Sequence, residues 1–280
     1  MTGKKNKQRL DVLLVDRRLV TTRSRARSEI MTGNVYVDGV KKDKPGELFS
    51  PEVRIELLAS KNPYVSRGGL KLQKALEEFN VKLTGKVVLD IGASTGGFTH
   101  CALEHGATKV YAVDVGYGQL AWELRNDPRV VVMERLNIRH LKGEELPERP
   151  HLSTIDVSFI SLSKVLPVVS SLGIHEVICL VKPQFEATPA QVGKKGVIRD
   201  RKVHEEVLAK VGKAALDLGY SVWGLTYSPL RGPRGNIEYF LYLVKEIQSR
   251  AGEQQQLEIL IEDVVGRAHL ALSSKGESLV

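Results

Sequence analysis

The chain has 280 residues, of which 42% are hydrophobic and 26% are charged, and its formal net charge is +8. This composition predicts a globular protein with one sizeable core and a small accessory domain, and no apolar run approaches the roughly 18 residues that a membrane helix needs. The basic first residues have no apolar stretch behind them, so they do not form a secretory signal, and two cysteines cannot make a disulfide framework. We therefore expect a cytoplasmic protein that does not bind or cross a membrane.

Basic charge is concentrated at the start of the chain, where the first 62 residues hold 14 Lys or Arg against 8 Asp or Glu. Two short helical patterns come first, with Ser24 as a candidate N-cap of the second and Gly33 at its end. Residues 35–40 alternate like a strand that turns at Asp38-Gly39, and residues 54–57 form a plausible partner strand. Such a concentrated cationic module favours a polyanionic partner, although a solvated basic face is the alternative explanation.

Four motifs define this module: Arg9-Leu-Asp-Xaa-Leu-Leu, Ser24-Arg-Ala-Arg-Ser-Glu-Ile, Gly33-Asn-Val-Tyr-Val-Asp-Gly and Lys44-Pro. Together they resemble the RNA-binding domain named after ribosomal small-subunit protein S-four. The resemblance implies a basic face for structured RNA, contacted mainly through phosphates and shape. The candidate RNA-binding residues are Arg9, Arg23, Arg25, Arg27, Lys41 and Lys42.

Later in the chain, short apolar strands alternate with amphipathic helices, which predicts an α/β fold with a doubly wound, mostly parallel sheet. The predicted strands are residues 87–91, 110–113, 130–133, 154–157, 177–181, 220–227 and 239–244, and the predicted helices include residues 69–78, 98–105 and 204–218. A Pro- and Gly-rich loop joins the last two strands, which we expect to be antiparallel at the sheet edge. Residues 184–200 are expected to form an irregular loop over a site, and the segment after Lys245 an amphipathic tail.

A glycine-rich turn, Asp90-Ile-Gly-Ala-Ser-Thr-Gly-Gly-Phe98, follows the first of these strands directly. Glycines let a backbone approach a ligand, and α/β sheets bind nucleosides at the carboxyl ends of such strands. The acidic residue in the turn would repel a pyrophosphate but suits the ammonium of S-adenosylmethionine, while Asp114 is placed to accept from ribose hydroxyls. The predicted cofactor-binding residues are Asp90, Gly92, Ala93, Ser94, Thr95, Gly96, Gly97, Phe98, Asp114, Val115, Asn137 and Asp156.

Five further motifs carry a second resemblance: Ser66-Arg-Gly-Gly-Leu-Lys71, the glycine-rich turn, Asp156-Val-Ser-Phe159, Lys182-Pro-Gln-Phe-Glu186, and Ser228-Pro with Gly235-Asn-Ile-Glu238. They resemble the FtsJ-like ribose methyltransferases, and the whole chain resembles the TlyA-type ribosomal RNA methyltransferases, which also carry the label hemolysin. The resemblance implies a Rossmann-like methyltransferase domain over residues 63–248, after a basic tail at 1–7 and an RNA-binding domain at 8–62, and before a C-terminal tail at 249–280.

The same resemblance implies a catalytic tetrad of Lys71, Asp156, Lys182 and Glu238 that acts on a ribose 2′-hydroxyl of ribosomal RNA or ribosomal subunits. A ribose hydroxyl is a poor nucleophile and needs a base. Lys182 is expected to be that base, with Lys71 lowering its pKa, Asp156 orienting it and Glu238 positioning the lysines or the ribose. Neither a metal nor a second cofactor is expected. One alternative is an RNA-binding scaffold with little catalysis. The other is a cytolysin, and the basic module and the absence of an apolar span disfavour this second alternative.

Overall fold

A computed structural model of the protein describes residues 7–20, 22–31, 33–58, 62–193, 196–232, 234–246 and 252–273. Residues 1–6, which make up most of the predicted basic tail, lie outside this set. The chain divides into two compact units, Met1–Arg67 and Gly68–Val280, and each is described by itself. In the described part of the chain, no helix is both long and apolar enough to cross a bilayer.

The first unit is a small α+β module. Its elements are β1 (Gln8–Arg9), α1 (Leu10–Asp16), α2 (Arg23–Met31), β2 (Val35–Val37), β3 (Val40–Lys42), β4 (Leu48–Phe49) and β5 (Ile55–Leu57). β2 pairs antiparallel with both β3 and β5, and β1 pairs with β4. Asp38 and Gly39 have φ of 49° and 78°, the left-handed pair that a two-residue hairpin requires, so the predicted turn forms.

Ser24 is not the N-cap of α2, because the helix already begins at Arg23. The cap is the preceding Thr22, whose Oγ1 accepts a hydrogen bond from the backbone N–H of Arg25 at 3.2 Å. Threonine and serine make the same contact, so composition alone did not separate the two positions. The helices bury one stripe of apolar residues, including Leu10, Leu14 and Ile30, against β2.

The second unit is built on a seven-stranded sheet. Its strands are β6 (Val87–Ile91), β7 (Lys109–Val113), β8 (Val130–Met133), β9 (Leu152–Ile155), β10 (Glu176–Val181), β11 (Tyr220–Tyr227) and β12 (Tyr239–Lys245). They lie in the order β11-β12-β10-β9-β6-β7-β8. All neighbours from β10 to β8 are parallel, whereas β12 runs antiparallel to β10 and β11. The predicted reversal near the end of the chain is confirmed.

β9 lies two residues earlier than its predicted range. Ser153 is fully buried in this strand, and its hydroxyl donates to the carbonyl oxygen of Leu89 at 3.0 Å. A polar side chain that finds such a partner can occupy a central strand. The strand consequently ends at Ile155, which leaves Asp156 just beyond it at the carboxyl edge of the sheet.

Helices cover the sheet and connect its strands. They are α3 (Gly68–Glu78), α4 (Gly97–Glu104), α5 (Trp122–Arg125), α6 (Leu166–Ser171), α7 (Pro183–Glu186), α8 (Arg201–Leu216) and α9 (Glu253–Ser273), with 3₁₀ turns at Ile138–His140, Gly143–Glu145, Leu162–Lys164 and Pro189–Gln191. The predicted loop at 184–200 therefore contains two short helical turns. Both begin at a proline, which is favoured in the first turn of a helix because it donates no backbone hydrogen bond there.

The segment predicted as a tail contains α9, which packs into the core of the second unit. Leu257, Ile261, Val264 and Val265 are buried there, while Ile259 on the opposite face remains 65% exposed. Arg201 donates to the backbone oxygen of Glu262, which ties α9 to α8. The last described helix is thus part of the hydrophobic core.

We expect Ile261→Ala to lower the free energy of unfolding by about 2 to 5 kcal/mol, because it leaves a cavity in the core. Ile259→Ala is the matched control on the same helix, and its effect should stay within about 0.5 kcal/mol. Urea unfolding of both variants measures the difference. Equal effects would contradict the packing of α9 described above.

Candidate active site

The first pair of predicted catalytic residues lies at the carboxyl edge of the sheet. Asp156 follows β9 and Lys182 follows β10, and these neighbouring parallel strands end side by side. The Nζ of Lys182 lies 2.7 Å from Oδ1 of Asp156 and donates to Oγ of Ser158 at 2.9 Å. The side chains of Lys182 and Asp156 are only 11% and 22% exposed, so their ion pair is largely shielded from water.

The second pair joins the first helix of this unit to Glu238, the residue just before its last strand. Lys71 on α3 donates to Oε2 of Glu238 at 2.5 Å, and Glu238 has no exposed surface. Its other oxygen, Oε1, is buried and has no hydrogen-bond partner among the described residues. Gly232 leaves the room for this carboxylate, since a Cβ on Gly232 would lie 2.2 Å from Oε1.

Strand register places the two pairs next to each other. Val181 on β10 lies opposite Tyr239 on the antiparallel β12. Lys182 and Glu238 are the next residues outward on these two strands, so their backbones emerge together at the sheet edge. All four residues that the sequence predicts as a tetrad therefore converge, as two lysine–carboxylate ion pairs.

The glycine-rich turn lies against the same edge. Gly92 has φ +85°, and a Cβ at this position would lie 2.4 Å from the backbone oxygen of Asp156. Only a glycine combines this left-handed conformation with so close an approach. The backbone contact brings the turn directly beside the strand end that carries Asp156.

Asp114 supports the turn from the neighbouring strand. Its Oδ2 accepts from the backbone N–H of Ser94 at 2.8 Å, and its Oδ1 accepts from that of Gly116 at 2.6 Å. Ser94 and Thr95 are the exposed residues of the turn, and Val115 beside them is 70% exposed. These groups form the part of the turn that a ligand can reach.

Asp90 lies behind the turn, at a fully buried position. Its two carboxyl oxygens accept from the hydroxyls of Thr99 at 2.6 Å and Thr154 at 2.9 Å. Burial raises the pKa of Asp90 to about 7. Both oxygens have hydrogen-bond partners inside the protein, and these two bonds anchor the turn to α4 and β9.

Three more predicted cofactor residues have structural contacts of their own. Phe98 is buried and packs on Phe240, with ring centroids 6.1 Å apart. Gly96 lies where a Cβ would meet the side chain of Leu124 at 2.2 Å. Asn137 accepts a hydrogen bond from the backbone N–H of Arg139 at 3.1 Å and begins a 3₁₀ turn.

Two phenylalanines at this edge were not predicted as site residues. Phe159 has φ +64°, a strained value for an aromatic residue, and is 91% exposed. Its ring centroid lies 4.9 Å from that of Phe185 on α7. Both belong to quoted motifs, yet only the backbone geometry shows that Phe159 is turned outward.

A buried acid holds these two loops together. Glu186 accepts from the Oγ of Ser161 at 2.5 Å and from the backbone N–H of Leu162 at 2.7 Å. It therefore ties α7, which follows Lys182, to the segment that contains Phe159. Its position at the end of the Lys182 motif was the only sequence signal for this role.

The six predicted RNA-binding residues of the first unit separate into different environments. Arg9, Arg23 and Arg27 all reach the carboxylate of Asp11. Arg25 pairs with Glu29 at 2.8 Å, and Lys42 pairs with Glu47 at 3.0 Å. The aliphatic end of Lys41 lies over Gly33, where a Cβ would be 2.1 Å from its Cε.

A parallel sheet with one reversed strand, a glycine-rich turn after β6 and paired lysines and carboxylates at the carboxyl edge define a Rossmann-like methyltransferase. The chain belongs to the FtsJ-like methyltransferase family, which matches residues 64–245, and an S4 domain matches residues 8–55. This family confirms the predicted fold class, the methyltransferase activity and S-adenosylmethionine as the cofactor. The family resemblances predicted from the sequence are confirmed as well.

Two relatives and one solved structure are similar to most of the chain. It is 48% identical to the candidate rRNA methyltransferase YqxC of Bacillus subtilis (strain 168) over 98% of both chains. It is 45% identical to the 16S/23S rRNA (cytidine-2′-O)-methyltransferase TlyA of Mycobacterium tuberculosis, over 84% of this chain and 89% of that protein. The solved structure of a candidate hemolysin from Streptococcus thermophilus has a TM-score of 0.77 and 42% identity, and the match covers 98% of this chain and 100% of that one.

We expect Gly92→Ala to weaken S-adenosylmethionine binding by at least about tenfold, because the new Cβ collides with the Asp156 carbonyl and moves the turn. Gly85→Ala is the matched control, since Gly85 also has a positive φ but no atom within 4 Å of its Cβ position. Calorimetric titration with the cofactor measures both. Equal losses for the two variants would mean that backbone strain, and not the contact with Asp156, governs the site.

Proposed function

We propose that the protein transfers the methyl group of S-adenosylmethionine to a ribose 2′-hydroxyl of ribosomal RNA. The observation that carries this proposal is the meeting of the Asp156–Lys182 and Lys71–Glu238 pairs beside the glycine-rich turn. The names of two relatives support the substrate, since the Mycobacterium tuberculosis and Campylobacter jejuni TlyA proteins are both named rRNA (cytidine-2′-O)-methyltransferases. A cytidine of ribosomal RNA is therefore the proposed target.

The turn suits the cofactor in shape and charge. The backbone of Gly92, the exposed Ser94 and Thr95, and the Asp114 carboxylate would hold it, with Asp114 accepting from ribose hydroxyls and Asn137 bordering the adenine. Asp90 acts from behind the turn as its buried anchor. When bound, S-adenosylmethionine supplies a methyl group on a positively charged sulfur, which is open to attack by an oxygen nucleophile.

Lys182 is the proposed base for the ribose hydroxyl. A lysine can accept a proton only in its neutral form, and then its nitrogen must point at the hydroxyl. Asp156 and Ser158 fix Nζ of Lys182 on two sides, so its position is determined before the substrate arrives. Proximity of base and hydroxyl in a fixed orientation is a large part of the rate gain in such reactions.

Glu238 is proposed to position the ribose. Its Oε2 is taken by Lys71, but its buried Oε1 has no partner among the described residues, and a sugar hydroxyl that reaches this atom would supply the missing donor. Lys71 balances the charge of Glu238, since a buried charge without a partner is costly. The pair thus presents one oriented acceptor beside Lys182.

Phe159 and Phe185 are proposed to hold the base of the target nucleotide. Proteins commonly bind unstacked RNA bases on aromatic rings, and a strained, exposed aromatic residue beside a catalytic pair suits such a contact. The first unit would bind the surrounding RNA through its arginines. Ribosomal subunits are then the proposed partners, and the cytoplasm the proposed location.

We expect Lys182→Ala to lower kcat for ribosomal RNA methylation by a factor of about 100 to 10,000, because the base is lost, while S-adenosylmethionine still binds. Lys182→Arg keeps the charge but cannot accept the proton, so it should be equally inactive. Transfer of a labelled methyl group to ribosomal RNA measures both variants.

Lys86→Ala provides the matched control, because Lys86 forms a lysine–glutamate pair with Glu176 at the opposite, amino end of the sheet. Its kcat should remain near that of the unmodified protein. Full activity of Lys182→Arg would contradict the assignment of the base.

A further inference from the structure

One carboxylate in the first unit gathers three arginines. Arg9 donates to Asp11 through two nitrogens, from Nε to Oδ1 at 2.9 Å and from Nη2 to Oδ2 at 3.0 Å. Arg23 donates to Oδ2 from Nη2 at 3.2 Å, and Arg27 from Nε at 3.1 Å. The three arginines come from β1, from the start of α2 and from its next turn, so they meet only in the folded module.

The carboxylate of Asp11 is buried, so it needs the arginines to balance its charge, and the arginines need it to lie so close together. The side chain of Asp11 has no exposed surface, whereas those of Arg9, Arg23 and Arg27 are 43%, 53% and 54% exposed. The guanidinium groups, that of Arg9 foremost, hold the pKa of Asp11 well below its usual range. Without Asp11, three cations brought this close would repel one another.

We propose that Asp11 is a positioning residue for RNA binding, which holds Arg9, Arg23 and Arg27 together as one three-armed clamp for the phosphate backbone. The inference rests on the proposed function, in which the first unit binds ribosomal RNA. Each guanidinium has five N–H donors, and contact with Asp11 uses two on Arg9 and one each on Arg23 and Arg27. The remaining donors belong to side chains that are about half exposed, and the cluster of three arginines and one carboxylate has a net charge of two positive units, which matches a phosphate group.

The surrounding backbone fixes the clamp. The N–H of Asp11 donates to the oxygen of Pro45 at 3.0 Å, and Arg9 pairs with Leu48 in the β1–β4 ladder. Gly46 leaves space for the Arg9 side chain, since a Cβ there would lie 3.1 Å from its Nη1. Arg25 and Lys42 belong to separate ion pairs with Glu29 and Glu47, so the clamp is confined to three of the six predicted RNA-binding residues.

Asp11→Asn separates this proposal from simple charge attraction. The substitution removes one negative charge and so raises the net charge by one, and attraction alone therefore predicts tighter binding to RNA. The proposal predicts the opposite: Kd for purified 23S ribosomal RNA rises about tenfold, and the slope of log K against log salt becomes smaller by about 1 to 2. Glu47→Gln makes the same charge change beside Lys42 and should bind at least as tightly as the unmodified chain.

Arg27→Lys keeps the test decisive if Asp11→Asn does not fold, which thermal unfolding shows. It preserves every charge but replaces a planar guanidinium by an ammonium that cannot serve Asp11 and a phosphate in the same geometry. We expect a similar loss of affinity. If Asp11→Asn folds, unchanged or tighter RNA binding by this variant would overturn the role of Asp11. If it does not fold, unchanged RNA binding by Arg27→Lys would do so. Either result would leave the proposed methyltransferase function standing. Failure of the unmodified chain to bind 23S ribosomal RNA would overturn the proposed substrate together with the role of Asp11.

Discussion

The contact between the backbone of Gly92 and the carbonyl oxygen of Asp156 is the constraint on which the site depends. It joins the turn after β6 to the end of β9 at a distance that any side chain would prevent. Strand register then sets Lys182 beside Glu238, and the Lys71–Glu238 pair connects α3 to the residue that precedes β12. The glycine-rich turn, the proposed base and the proposed ribose acceptor thereby lie along one edge of the sheet, and a reaction of this kind requires such a fixed geometry.

Much of the site could be predicted from the sequence, because an acidic glycine-rich turn and four spaced charged residues are local motifs. The contact of Asp156 with Lys182 was expected from the sequence, whereas the contact of Glu238 with Lys71 was left open, because it depends on how α3 packs against the sheet. The burial of Asp90 could not be predicted, because nothing in the sequence marks Thr99 and Thr154 as its hydrogen-bond donors. Phe159 was not predicted as a site residue, since its exposed position depends on a positive φ, which residue identity does not reveal.

The fold was predicted well where apolar periodicity is strong, as in β6, β10 and β12. The prediction was less complete where tertiary contacts decide: the segment after Lys245 was expected to be amphipathic, but its packing as α9 into the core could not be read from the sequence. In the first unit, the concentration of basic charge predicted a polyanionic partner, but it did not predict how the basic side chains are arranged. The buried Asp11 divides the basic residues into a cluster of three arginines and separate ion pairs, and a charge count treats all of them alike.

The central claim is that the enzyme methylates a ribose hydroxyl and not a base. Mass mapping of ribosomal RNA from cells with the gene, without it, and complemented with the Glu238→Gln variant tests this most directly. We expect a 2′-O-methylated cytidine that is present only when the intact protein is made, and that is lost or strongly reduced with Glu238→Gln. A methyl group on the base, or an identical pattern of ribose methylation with and without the protein, would contradict it.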